Sequence, residues 1–259
     1  MSEVFDHYAL YYDLLYRDKD YAAEAAYVAS HIREFNPSAK TILELGCGTG
    51  GHAEFFARMG FTVVGIDMSV TMLNQAEMRK AKLPTEIAER LTFIQGDVRS
   101  IRTGEQYDAV ISLFHVMSYQ TSNADLENSF ATAAVHLKPS GVFLFDFWYG
   151  PAVLIQKPEV RVKRLEDNTI KVTRIAEPVL HANANVADVN YTIFIEDNLT
   201  GKAKQIRETH KMRYLFLPEL NWMLPSSNLE IKIHYAWLEC IPLSFDSWSG
   251  VILAIPHKI

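Results

Sequence analysis

The sequence predicts an α/β chain: a doubly wound, mostly parallel sheet with an antiparallel last strand and an antiparallel β insertion after strand five. Three observations carry that expectation. Up to about residue 150, apolar runs of strand length alternate with helical patterns, as in successive βα units. The first run, TILELGCGTGG at 41–51, breaks into Gly46, Gly48, Gly50 and Gly51 before a helical pattern begins at His52. That is how such a sheet makes its first nucleotide-binding turn. Beyond residue 150 the pattern changes to period-two stretches separated by turn residues, which reads as antiparallel strands.

The elements follow in order. Residues 5–16, FDHYALYYDLLY, place Tyr8, Tyr11, Tyr12 and Tyr16 ahead of any strand. So many hydroxyl-bearing aromatics exceed what packing alone requires, because a buried tyrosine still needs a partner for its OH. Asp18 or Asp20 can cap a helix through YAAEAAYVASHIREF, with Tyr21, Ala25, Val28 and Ile32 on one face and Asn36-Pro37 as its stop. Strand one is 41–46, and the helix after the glycine turn closes at Gly60. Strand two, TVVGID, ends in Asp67, and Ser69 caps the helix that follows. Strand three is LTFIQGD (91–97), again ending in an acid. Strand four is YDAVISLF (107–114), apolar almost throughout, as a strand covered on both faces should be. A helix at about 123–137 ends at Lys138-Pro139-Ser140-Gly141, and VFLFDFW (142–148) is strand five, with Asp146 within it.

The insertion reads as four strands with turns at Glu166–Asn168, His181–Asn185 and Asp197–Gly201. A short element near 218–224 precedes two last strands, 231–241 and 248–259, joined by a short loop. The expected division is a tyrosine-rich lid and helix at 1–40, a catalytic domain at 41–149 with 217–259, and the insertion at 150–216.

Composition narrows the function. A net charge of -6 argues against nucleic acid as a main partner, since backbone binding needs a basic footprint. No run approaches the ~20 apolar residues of a membrane span, and the start of the chain lacks a signal-peptide pattern. Cys47 and Cys240 make no zinc spacing, so no metal is expected. A cytoplasmic enzyme is the expectation, with a small-molecule acceptor and the insertion as a substrate or homodimer surface.

Ligands of such sheets sit at the carboxyl ends of the strands. The residues ending strands here are Glu44 to Gly48, Asp67, Asp97, Phe114-His115 and Trp148-Tyr149. The turn alone leaves the nucleotide open. Gly46-x-Gly48-x-x-Gly51 also satisfies the dinucleotide fingerprint, with Asp67 near the distance of a ribose-binding acid. Acids recurring along the edge favour a cation, whereas a dinucleotide's phosphates favour a positive helix end.

On Glu44-Leu45-Gly46-Cys47-Gly48-Thr49-Gly50, Gly65-Ile66-Asp67-Met68-Ser69 and Gln95-Gly96-Asp97-Val98, the chain resembles the class I S-adenosylmethionine-dependent methyltransferases. The fold implied is their Rossmann-like seven-stranded sheet. Within that superfamily it is most similar to sugar N-methyltransferases acting on amino sugars carried on a nucleoside diphosphate. Tyr12-Asp13-Leu14-Leu15-Tyr16 with Lys19 to Ala25, the loop Phe114 to Tyr119, and the β insertion carry that finer likeness.

The resemblance implies roles. Gly46, Cys47, Gly48 and Gly50 would meet the methionine end of S-adenosyl-L-methionine, with Glu44 ordering the turn or reaching the ammonium through water. Asp67 would take the ribose hydroxyls, a carboxylate being able to accept several hydrogen bonds. Met68 would lie on the adenine, Asp97 would accept from its amino group, and Val98 would donate its N–H. Tyr16 and Phe114 complete the cofactor set. Candidate catalytic residues are His115, Tyr119 and Tyr12. Tyr119 stands where the sugar enzymes can carry a histidine, which weakens a histidine-base mechanism. Tyr12, Trp148, Tyr149 and Arg161 would meet the acceptor; aromatic packing and a solvated strand face are the plain alternatives for them. Beside the amino-sugar reading stand a small-molecule O-methyltransferase and a small-amine N-methyltransferase. More remote are a nicotinamide-dependent oxidoreductase and a non-catalytic cofactor-binding partner.

Overall fold

The computed structural model describes residues 11–12 and 14–257. Tyr8, Asp13 and the last two residues of the expected final strand lie outside the described residues. The main sheet comprises β1 (Thr41–Leu45), β2 (Thr62–Asp67), β3 (Leu91–Gln95), β4 (Tyr107–Ser112) and β5 (Leu137–Tyr149), in the order β3-β2-β1-β4-β5 and parallel throughout. Two strands from the C-terminal part extend it. β11 (Ser249–Pro256) pairs antiparallel with β5, and β10 (Leu229–Ala236) pairs antiparallel with β11.

Helices cover both faces, which is why the strands are apolar without alternation. Side chains still alternate between the two cores, as the period of a strand requires. Ile42, Val63, Ala109, Ile111 and Leu144 face α1 (Tyr21–Phe35) and α2 (Gly51–Arg58). Leu43, Leu45, Val110, Phe143 and Phe145 face α5 (Asn123–Val135), whose Phe130 ring lies 6.2 Å from Phe143 and 5.6 Å from Phe145. The other short helices are α3 (Val70–Lys80), α4 (Thr85–Ala88), α6 (Gly150–Gln156) and α7 (Leu217–Met223).

The expected caps form. Asp20 accepts from the Ala23 N–H at 2.9 Å, Asn36 ends α1, and Ser69 accepts from the Met72 N–H at 3.2 Å. Strand ends differ from expectation for local reasons. β4 stops at Ser112 because Phe114 and His115 adopt left-handed φ of 64° and 65°, which no strand accommodates. β3 stops at Gln95, where Asp97 turns the chain by accepting from the Arg99 N–H at 2.9 Å. β5 begins earlier than expected, since Leu137 already pairs with Tyr107. The connection between β10 and β11 runs over residues 237–248 and is longer than the short loop expected, with Leu238 and Cys240 at positive φ.

The insertion is an antiparallel meander of β6 (Arg161–Glu166), β7 (Ile170–His181), β8 (Val186–Asp197) and β9 (Ala203–Leu215), with the turns where the sequence placed them. It joins the main sheet where Tyr214 and Leu215 of β9 pair in parallel with Trp148 and Tyr149. The carboxyl ends of the parallel strands, β9 and the segment around Tyr12 and Tyr16 therefore meet at one edge.

At the opposite edge one carboxylate ties β4 to the start of β1. Asp108 accepts from the N–H of Lys40 and Thr41 and from the Thr41 hydroxyl at 2.8–3.0 Å, and pairs with Lys138 at 2.9 Å. Burial alone would raise its pKa, but these donors hold it at about 2. Hydrogen bonds to a charged group contribute roughly 1.5–3 kcal/mol, so Asp108→Ala should destabilise the fold by about 2 kcal/mol in urea unfolding at neutral pH. The native pKa is depressed, so this stabilisation is present above the ordinary carboxylate value and is lost as pH falls toward about 2. The gap between wild type and variant should close over that acidic range.

Candidate functional site: a cleft at the strand ends

The glycine turn is shaped by the strand beside it. The N–H groups of Gly46 and Cys47 both donate to the Ile66 carbonyl, at 2.7 and 2.9 Å, and the Gly48 N–H donates to Asp67 Oδ2 at 2.9 Å. Gly46 has φ of 82°, and a Cβ there would lie 2.5 Å from Val116 Cγ2. Gly48 has φ of 54°, but a Cβ there would meet nothing within 4 Å. The backbone at Gly48 thus faces open space in the cleft, where a ligand can approach it closely.

Each acid of this edge is compensated differently. Asp67 uses Oδ1 for the Ser69 N–H at 2.9 Å and Oδ2 for Gly48. Burial raises its pKa and those N–H groups pull it back. Its remaining lone pairs can take two hydroxyl donors. Asp97 is gripped by Arg99, whose Nε lies 2.9 and 3.1 Å from its two oxygens, and which also reaches Asp125 at 2.9 Å. Those hydrogen bonds hold Asp97 below the usual carboxylate range. Glu44 is fully buried beneath the turn. Its Oε1 lies 3.8 Å from His52 Nδ1, and its Oε2 has no hydrogen-bond partner among the described residues. Burial, then the Asp67 charge, pushes its pKa up to about 8.

The loop after β4 is built around a second buried acid. Both oxygens of Asp146 accept from the His115 N–H at 3.0 and 3.2 Å, and His115 Nδ1 lies 2.6 Å from Asp146 Oδ2. Burial alone would raise Asp146, but His115 holds it below its ordinary value. This anchor explains the left-handed backbone at His115. Phe114, brought into the cleft by the same turn, meets Tyr16 at 4.9 Å and Tyr12 at 6.4 Å in edge-on contacts, while Tyr12 and Tyr16 lie 4.8 Å apart. The Lys19 ammonium sits 4.3 Å from the Phe114 ring centre and pairs with Glu24, which also bonds His52 at 2.7 Å. An aromatic roof thus closes over the glycine turn.

On the far side, the Tyr119 hydroxyl meets His210 Nδ1 of β9 at 2.7 Å, and Tyr191 of β8 lies edge-on to the His210 ring at 5.0 Å. These side chains, with Trp148, Val189 and Met212, line the second half of the cleft.

Most residues singled out from the sequence converge here. Tyr12, Tyr16, Gly46, Cys47, Gly48, Asp67, Met68, Asp97, Val98, Phe114, His115, Tyr119 and Trp148 all line the one cleft. Three do not. Glu44 lies beneath the turn and off the lining. Tyr149 packs against the core on the other face of β5, because neighbouring strand residues point to opposite sides. Arg161 is exposed at the start of β6, the outer strand of the meander, outside the lining. Residues the sequence reading passed over include Asp146, Arg99, Tyr191 and His210. A lone acid inside VFLFDFW was a usable signal for Asp146. Nothing local pointed to His210, which is 91 positions from its partner.

Comparison with known proteins agrees with this geometry. A methyltransferase-domain family model matches residues 42–141. The dTDP-3-amino-3,4,6-trideoxy-alpha-D-glucopyranose N,N-dimethyltransferase of Streptomyces venezuelae is 35% identical over 185 residues, covering 70% of this chain and 74% of the relative. The dTDP-4-amino-2,3,4,6-tetradeoxy-D-glucose N,N-dimethyltransferase of Saccharopolyspora spinosa is 30% identical over 184 residues, covering 70% of each. Among solved structures, Streptomyces venezuelae DesVI aligns with a TM-score of 0.79 and 25% identity, over 96% of this chain and 98% of that one.

The buried Glu44 gives a pH test. Its native pKa of about 8 lies above the ordinary value of 4.5, so its stabilisation is complete below the latter and is lost as pH rises through the former. Denaturant unfolding of the cofactor-free chain should show stability declining across that window by a few kcal/mol. Glu44→Gln should flatten the slope there, whatever its uniform cost.

Proposed function

The chain belongs to the S-adenosylmethionine-dependent methyltransferases, and we propose that its methyl acceptor is the amine of a nucleotide-linked amino sugar. The observation that carries the acceptor class is the 35% identity to a dTDP-amino-sugar N,N-dimethyltransferase across 70% of the chain, insertion included in part. A cleft walled by Tyr12, Tyr16, Phe114, Tyr119, Trp148 and Tyr191 supports it. Aromatic faces stack on sugar rings and attract a cationic amine.

The cofactor supplies an electrophilic methyl group on a sulfonium centre, and the protein supplies binding and alignment. The residues present fit that group. Gly48 exposes backbone to the cleft, Asp67 has lone pairs that could take the ribose hydroxyls, and Met68 and Val98 line the same cleft and would flank an adenine. Arg99 lines the same end, and its grip on Asp97 assigns that acid first to orienting the guanidinium. The Tyr12, Tyr16 and Phe114 roof would exclude water and help to hold an acceptor for in-line transfer. Such positioning is worth roughly 7–11 kcal/mol. His115, tied to Asp146 through its backbone N–H and with Nδ1 2.6 Å from Oδ2, lines the cleft beside the acceptor half.

One observation favours a second reading, a small amine without a nucleotide carrier. Among the described lining residues Arg99 is the only lysine or arginine, and it is engaged by Asp97 and Asp125. A diphosphate usually recruits such cations. Methyl transfer from S-adenosylmethionine to a dTDP-linked amino sugar, the free amino sugar and a glycine-like amine, run side by side, separates the two. The nucleotide-linked acceptor should be used with the highest kcat/KM. Equal use of the free sugar would defeat the carrier assignment.

Cofactor assignment is tested separately. S-adenosylhomocysteine should raise the melting temperature, and NAD should not. Asp67→Ala should weaken S-adenosylhomocysteine binding by about 10- to 100-fold, the range for losing charged hydrogen bonds. Unchanged affinity by calorimetry would contradict its role.

A further inference from the structure

We propose that Tyr119, His210 and Glu208 form a proton relay that converts the bound acceptor ammonium into the attacking amine. This role rests on the amine reading above. The Tyr119 hydroxyl lies 2.7 Å from His210 Nδ1. His210 Nε2 lies 3.4 Å from Glu208 Oε2, and that oxygen accepts from the Tyr11 hydroxyl at 2.9 Å. Hydroxyl, imidazole and carboxylate therefore run in sequence from the cleft wall into the insertion and end under the N-terminal segment.

Packing alone does not ask for this arrangement. His210 and Glu208 are both buried, and Glu208 Oε1 has no hydrogen-bond partner among the described residues. Burying such groups is costly unless they are paired. A carboxylate facing Nε2 favours the tautomer with the proton on Nε2, which leaves the Nδ1 lone pair for the Tyr119 hydroxyl. Among the described residues, the other titratable or charged groups facing this pair include Tyr191 of β8, 5.0 Å away edge-on, Arg174 of β7, stacked 4.8 Å from the Tyr191 ring, and Tyr11, Tyr12 and Tyr16 of the N-terminal segment. Ala176, Val189 and Met212 supply an apolar surround. Tyr119 and His210 both line the cleft, so the near end of the relay is open to a ligand.

The step balances. An acceptor that binds as R–NH3+ gives one proton to the Tyr119 oxygen while the phenolic proton of Tyr119 passes to His210 Nδ1. The imidazolium so formed faces the Glu208 carboxylate. The freed nitrogen lone pair forms the N–C bond as the S–C bond breaks, and that electron pair stays on sulfur. Tyr119 ends as it began. Burial pushes its phenol well above the ordinary value, which suits a relay that never rests as phenolate. His210 and Glu208 act through Tyr119 and are positioning residues in this scheme.

Single-turnover methyl transfer to the amino-sugar acceptor, followed across pH in wild type, His210→Asn and Glu208→Gln, tests the relay. Near neutral pH, His210→Asn should be slower by about 10- to 100-fold, the low end of general-base contributions. In the alkaline range, where the amine arrives already neutral, the gap should close to about threefold. Glu208→Gln should show the same closure from a smaller deficit. A deficit equal at every pH, or none at any, would overturn the relay. Should wild type methylate no amine, the acceptor reading fails on that result alone. Nitrogen-15 NMR of the intact wild-type chain then judges the relay independently: a proton on Nε2 with Nδ1 accepting is required, and a proton resting on Nδ1 refutes it.

Discussion

The Ile66 carbonyl and the Asp67 carboxylate lock the first turn to the second strand, and the rest of the site depends on that lock. Two successive N–H groups, Gly46 and Cys47, converge on one carbonyl, and Gly48 and Ser69 converge on one carboxylate. Such convergence forces left-handed backbone at Gly46 and Gly48, which side chains other than glycine adopt at a cost. Once the turn is set, α2 starts at Gly51 against the Tyr21 ring, where even a Cβ would come within 2.7 Å of it. His52 is then delivered between Glu24 and Glu44. One pair of acceptors thus fixes the ligand-facing backbone, the direction of a helix and the seating of the first helix.

Much of this was legible because it is local. Glycines, caps and strand-end acids act within a few residues, so Ser69, Asp20, Gly48 and Asp67 could be placed from their neighbours alone. The parallel sheet followed from alternating βα units, and the meander from its turn residues. What was not legible depends on partners distant in sequence. The left-handed turn at Phe114 and His115 is imposed by Asp146, 31 positions on, and the surroundings of Tyr119 by His210, 91 positions on. Tyr149 shows a subtler limit. Its place beside Trp148 suggested a shared role, but alternation along β5 sends the two rings to opposite faces.

The insertion completes the cleft because the N-terminal segment is docked on it. Tyr11 bonds Glu208, Arg174 lies 3.4 Å from the Tyr16 hydroxyl, Lys163 donates to the Leu15 carbonyl, and Arg17 donates to the Glu166 carbonyl. These contacts link segments about 150 or more positions apart, and each brings a cation or hydroxyl of one to the other. The roof over the glycine turn and the wall opposite it are therefore one assembly. A change in the insertion alters the roof as well.

Methyl transfer moves a positive charge from sulfur to the acceptor nitrogen, and the acids around the cleft are graded for it. Asp67 is held by backbone N–H groups, Asp97 by Arg99 and Asp146 by His115, so each carries a counterpart of its own. Among the described residues Glu44 has only the distant His52 ring, 3.8 Å from Oε1, and accommodates burial by holding its proton. A cation entering above the turn therefore finds one carboxyl group that can still ionise in response, at the end where the cofactor's ammonium would rest. Among the described residues, the other end of the lining has no equivalent acid and has aromatic faces with a hydroxyl backed by imidazole instead. Fixed charge at one end and polarisable rings with a proton acceptor at the other suit a reaction in which the cofactor's charge is lost and the acceptor's proton must leave.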